Sequence, residues 1–150
     1  MKYTWFTLLY LAVIASVAIP LHAYWLKRPW KQFDLTFFGI AFFFSAFGEL
    51  ANIVSTNWKY HPKFFSIQTS GLVAIGILAA QPLLHVALGY GFLTLRRWTL
   101  YLAVFYTADV LTSTILAFIT EGYGKIRMVF LVLLPLSLIY VFARRKIFVR

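Results

Sequence analysis

Residues 35–54 read LTFFGIAFFFSAFGELANIV, twenty positions with a single charge, Glu49, and no proline. Coiled as an α-helix at 1.5 Å per residue, the stretch is about 30 Å long, the thickness of a bilayer's hydrocarbon core. Its run FFGIAFFF, residues 37–44, lacks the alternation of polar and apolar side chains that a membrane β-barrel strand requires. Backbone surrounded by lipid must satisfy its own amides, so the spanning form is a helix.

Four further apolar runs of comparable character lie at residues 3–26, 69–93, 99–120 and 128–143. The expected fold is therefore an all-α membrane protein, a bundle of five transmembrane helices forming a single integral membrane domain over residues 1–150. Composition argues the same way. Hydrophobic side chains make up 62% of the chain and charged ones 12%, against about 25% charged in soluble proteins. A soluble chain of this size leaves roughly a third of its unfolded area exposed, so it has nowhere to hide so much apolar surface. With no cysteine, disulfides, thiolate metal sites, iron–sulfur clusters and cysteine nucleophiles are excluded.

The net charge of +10 does not point to nucleic acid, because the basic residues sit in short clusters between the apolar runs. Taken on alternate sides, Lys27, Arg28, Lys31, Arg96, Arg97, Arg144, Arg145, Lys146 and Arg150 make nine. Lys2, Lys59, Lys63, Lys125 and Arg127 make five on the other side. The positive-inside rule then sets the N-terminus outside and the C-terminus in the cytoplasm, and the expected location is a prokaryotic cell membrane as a multi-pass protein. Leu21-His22-Ala23 offers a small residue at a possible cleavage point, but the heavier basic cluster follows the first run, which marks a retained helix. Trp5, Trp25, Trp30, Trp58 and Trp98 fall at or near the expected helix ends, as interface anchors do. The longest connection, about residues 55–68, mixes Trp58, Tyr60, Phe64 and Phe65 with Lys59 and Lys63 around a His61-Pro62 turn, the composition of an interfacial segment or a lid. The basic run from Arg144 reads either as a contact to anionic lipid or as an ordinary stop-transfer flank.

Ionisable groups within the apolar runs are the candidates for function, since each costs at least about 2.5–3.5 kcal/mol at a helix centre. Glu49 shares a helical face with Ser45 and Asn52, and Asp109 with Tyr106, Thr112 and Ser113. Gln81 and His85 form an i, i+4 pair with Gly89 one turn further on. Three helices thus carry polar stripes that should turn toward one another or toward a partner. Glu49, Asp109 and His85 are the candidate catalytic or proton-handling groups; Ser45, Asn52, Gln81, Tyr106, Thr112 and Ser113 are the candidate binding groups. From the cytoplasmic ends, His22, His85, Asp109 and Glu49 are staggered at depths of roughly 6, 12, 18 and 22 Å, as in a proton relay. His22 and His85 are also the two imidazoles that a b-type haem would take as axial ligands. No cofactor is otherwise expected, and no array with zinc or di-iron spacing is present, nor any catalytic or phosphate-binding glycine motif.

Pro20, Pro82 and Pro135 interrupt spanning runs and permit kinks. Gly76-x-x-x-Ala80 and Ala41-x-x-x-Ser45 are small-residue pairs suited to close helix approach. The first functional expectation is a small accessory subunit packed against larger membrane partners, without an enclosed cavity around Glu49 and Asp109. The alternative is an autonomous membrane enzyme or a lipid- or isoprenoid-binding protein, with a pocket of several hundred Å³ that holds those side chains. A proton-coupled carrier is a third, disfavoured by five helices without inverted repeats. The expected partners are other membrane subunits and lipids, anionic ones at the cytoplasmic rim.

Overall fold

A computed structural model of the chain describes residues 2–56, 63–64, 67–121 and 125–148. Among these the chain forms five α-helices: α1 (Lys2–Pro20), α2 (Phe33–Ser55), α3 (Gly71–Thr94), α4 (Trp98–Glu121) and α5 (Lys125–Ala143). Each falls on one of the apolar runs. Between α2 and α3, β1 (Lys63–Phe64) and β2 (Ile67–Gln68) pair antiparallel as a short hairpin. The expected interfacial segment with Trp58, Tyr60, His61 and Phe65 lies otherwise outside the described residues.

Four stretches are long and apolar enough to cross a membrane: Leu8–Leu26, Trp30–Ser55, Gly71–Thr94 and Trp98–Thr120. The described apolar part of α5, Leu131–Ala143, is shorter. Large side chains that a soluble protein would bury stand exposed around the bundle, among them Leu72, Leu83, Ile119 and Ile139. That pattern is consistent with helices surrounded by hydrocarbon.

The first run is not one uniform helix. Pro20 has no N–H to offer the carbonyl of Ser16, and the chain continues past it as a π-helical turn, Leu21–Leu26. Lys27 ends that turn with φ 49°, and Leu95 ends α3 with φ 54°. Both occupy the left-handed position that glycine usually supplies after a helix.

The C-terminal ends of α1, α3 and α5 gather with the N-terminal ends of α2 and α4, so most basic residues share one end of the bundle. Arg28 donates through Nη2 to the carbonyl of Leu93, capping the last turn of α3. Burial pulls the Arg28 guanidinium below its ordinary pKa, though arginine keeps its charge at neutral pH. Arg144 binds Asp34 at 3.0 Å and Tyr140 at 2.7 Å, and also donates to the carbonyl of Lys31. Tyr140 in turn donates to Asp34 at 2.7 Å. These contacts tie the end of α5 to the start of α2. After a 3₁₀ turn, Arg145–Ile147, the chain folds back and buries Phe148 edge-on against Phe92, with ring centroids 6.0 Å apart.

α2 and α3 form the most closely packed pair. Gly76, from one of the expected small-residue pairs, does not set this spacing: a Cβ there meets nothing within 4 Å. Gly39 of α2 and Gly89 of α3 set it instead, flanked by Phe43 and Leu93. One buried cluster joins Leu35, Leu88, Phe92, Ala103, Val141 and Phe148, and a second joins Ile14, Ala18 and Ile40.

Candidate functional site

His85 enters α2's territory one turn along α3 from Gly89, where the two backbones are closest. Its Nδ1 lies 3.1 Å from Oε2 of Glu49. That separation is right for an ion pair, yet the ring nitrogen is not aligned for a hydrogen bond, and both atoms are buried without a hydrogen-bond partner. The pair is therefore held by proximity and burial rather than by good hydrogen-bond geometry. The imidazole side chain is 7% exposed and the Glu49 side chain 30%, so the carboxylate forms the accessible side of the pair.

Aromatic rings enclose the imidazole. Phe42 lies 5.7 Å away and tilted, and Tyr106 of α4 is 5.1 Å away and edge-on. Phe42 also packs edge-on against Tyr106 at 5.5 Å and stacks on Phe92 at 5.7 Å. The polar stripes of α2, α3 and α4 thus converge at Glu49, His85 and Tyr106. Both Glu49 and Asp109 lie within electrostatic reach of the Tyr106 hydroxyl.

Two cavities flank this convergence. One of about 240 Å³, between α2, α3, α4 and α5, is walled by Phe38, Phe42, Phe92 and Tyr106, with Thr107 and Ser137 as its smaller polar groups. The other, of about 460 Å³, opens between α3 and α4. It is lined by the small residues Gly76 and Ala80, the apolar Val73, Ile77, Leu84 and Phe105, and the polar Gln81 and Asp109. Here the absence of large side chains on α3 makes room rather than a helix contact.

The remaining candidates divide. Asp109 and Ser113 each make a contact of their own, and Thr112 is half-buried on the same helix. Ser45 is half-buried, while Asn52 is exposed near the end of α2, its carbonyl accepting from Ser55 and Thr56. His22 does not join them. It is fully buried with Nδ1 2.8 Å from Oγ1 of Thr36, and its ring lies against Trp30 and Phe33. Its partner Thr36 and His85's partner Glu49 stand thirteen residues apart on α2, about 20 Å along the axis. The two imidazoles therefore occupy separate sites. Among the described residues, no three of His, Cys, Asp and Glu gather closely enough to hold a metal ion.

Asp34 was absent from the sequence candidates although it is one of only four acids. Its position in the first turn of α2, beside a basic-rich end, was the available signal. Comparison with protein-family models, with curated proteins and with solved structures gives no match.

Proposed function

We propose that this chain is a five-crossing protein, N-terminus outside and C-terminus cytoplasmic, that binds a lipid-like ligand between α3 and α4. The nine-to-five distribution of Lys and Arg supports the orientation. One observation carries the binding reading: Gln81 and Asp109 open into the same groove of about 460 Å³, whose other walls are apolar. Small-molecule sites of several hundred Å³ combine such walls with a few convergent polar groups. An acyl or isoprenoid chain lies along Gly76 and Ala80. Its polar end, a hydroxyl, amide or other hydrogen-bond donor, meets Asp109 and Gln81. Tyr106, three residues from Asp109 on α4, links this groove to the His85–Glu49 pair.

The test is native mass spectrometry of the full chain released from mild detergent, wild type beside Gly76→Leu. A Leu side chain there occupies part of the groove, and its Cβ meets nothing within 4 Å. The wild type should carry a bound lipid-like molecule that the folded variant lacks. An equal load on both proteins contradicts the proposal.

A second reading, a subunit of a larger membrane assembly, draws on the same open face. Gly76 and exposed Ala80 also suit the close approach of a helix from another chain. Stoichiometric protein chains lost on Gly76→Leu, with no lipid, favour it over ligand binding.

A further inference from the structure

We infer that the 3₁₀ turn after α5 is a binding site for an anionic phospholipid, with the phosphate held by Arg145 and Lys146. The chain has four acids, and among the described residues none of them is paired with these two cations. Asp34 is occupied by Arg144 and Tyr140. Glu49 lies against His85, and Asp109 lines the α3–α4 groove. Glu121 ends α4, and Arg145 belongs with the other end of that helix, where Arg97 donates through Nε to the carbonyl of Phe148 at 3.4 Å. Arg144, by contrast, has its guanidinium engaged by Asp34, Tyr140 and the Lys31 carbonyl. Of three consecutive basic residues, the first serves the fold and the next two remain exposed.

The backbone that carries the pair is ordered before any ligand arrives. Ile147 donates its N–H to the carbonyl of Arg144 at 2.9 Å, and Phe148 donates to that of Arg145 at 3.2 Å. Phe148, 1% exposed in the core, anchors the far end of the turn. A site ordered in advance loses less entropy on binding.

Arg145 and Lys146 form one end of a surface pocket of about 360 Å³ whose remaining walls are Ile139, Phe142 and Ala143 of α5. Ile139 and Phe142 are one helical turn apart and exposed, 65% and 36%. Cationic side chains at the membrane edge, continuous with an apolar strip running into the hydrocarbon, match a phosphate joined to an acyl chain. A soluble acidic peptide would leave the strip unused.

The experiment uses the full chain in nanodiscs of neutral phosphatidylcholine with increasing phosphatidylglycerol, bound lipid being read by native mass spectrometry. Arg145→Gln/Lys146→Gln is compared with Lys27→Gln/Lys31→Gln, which removes the same charge from exposed residues at the same end of the bundle. Near an anionic surface each basic residue contributes roughly fivefold in affinity, so the first variant should weaken phosphatidylglycerol binding about twenty-five-fold. The control should weaken binding far less, because Lys27 and Lys31 do not line the pocket. Phe142→Ser should weaken binding with no change in charge. Equal losses in both double variants, or no preference for phosphatidylglycerol over phosphatidylcholine in the wild type, overturn the assignment.

Discussion

Gly39 and Gly89 meet backbone to backbone: a Cβ built on Gly39 stands 3.0 Å from the carbonyl oxygen of Gly89, and one on Gly89 stands 2.9 Å from that of Gly39. Neither carbonyl can withdraw, since each belongs to a helix interior. Gly39→Ala or Gly89→Ala should therefore cost about 1–3 kcal/mol, the usual penalty for overpacking. Gly76→Ala meets open space and should instead gain about 0.5–1 kcal/mol from helix propensity. Thermal unfolding in a single detergent distinguishes them, and equal midpoints for all three variants would contradict the crossing as described.

The tie between α5 and α2 rests on three side chains at once. Arg144 and Tyr140 both bind Asp34, and Arg144 also lies 5.5 Å from the centre of the Tyr140 ring. Arg144 and Asp34 are about a fifth to a quarter exposed, so screening limits the value of the ion pair. Asp34→Asn should cost about 1 kcal/mol or less. A double-mutant cycle of Asp34→Asn with Tyr140→Phe should show coupling, because one carboxylate oxygen serves both donors. Strict additivity in chemical unfolding argues against a shared network.

His22 offers a cleaner case of a buried polar pair. Its ring is wholly enclosed, and the contact with Thr36 is the hydrogen-bonding contact observed for its Nδ1 among the described residues. Thr36→Val keeps the volume and removes that partner, which should cost about 1–3 kcal/mol. Thr36→Ser retains the hydroxyl and should lose only the packing of one methyl group, about 1 kcal/mol or slightly more. If the valine variant unfolds at the same temperature as the serine one, the hydroxyl does not matter.

Hydropathy made the helices legible, because a spanning run needs about twenty apolar residues wherever it sits in the bundle. The meeting of Glu49, His85 and Tyr106 was legible for a related reason: charge is costly in hydrocarbon, so polar stripes turn inward. The faces of the helices were not. Lipid and protein interior are equally apolar, so nothing in the phenylalanines of α2 distinguishes Phe42, stacked in the centre, from Phe47, which is exposed. For the same reason Gly39 and Gly76 look alike in sequence, yet one lies at a crossing and the other lines a groove. His22, expected in a staggered series with His85, Asp109 and Glu49, lies apart from them against Thr36, within the π-helical turn after Pro20 that hydropathy does not reveal. Phe148 lies beyond the last apolar run, and its burial depends on a chain reversal that three consecutive basic residues conceal.

The Glu49–His85 pair allows a decisive comparison. His85→Leu leaves the Glu49 carboxylate beside an apolar side chain, and Glu49→Leu leaves the imbedded imidazole without its neighbour. Each single variant should lose about 1–3 kcal/mol, because the remaining ionisable group loses its polar neighbour 3.1 Å away and faces an apolar side chain. The double variant should lose less than the sum of the two, since replacing both partners by apolar groups removes the stranded group along with its partner. Chemical unfolding in one detergent measures all three. If the structural role is separate from ligand binding, Glu49→Gln should keep both the fold and the lipid load, whereas Asp109→Asn should keep the fold and shed the lipid. A double variant that loses the full sum of the single changes would mean that the two side chains do not interact.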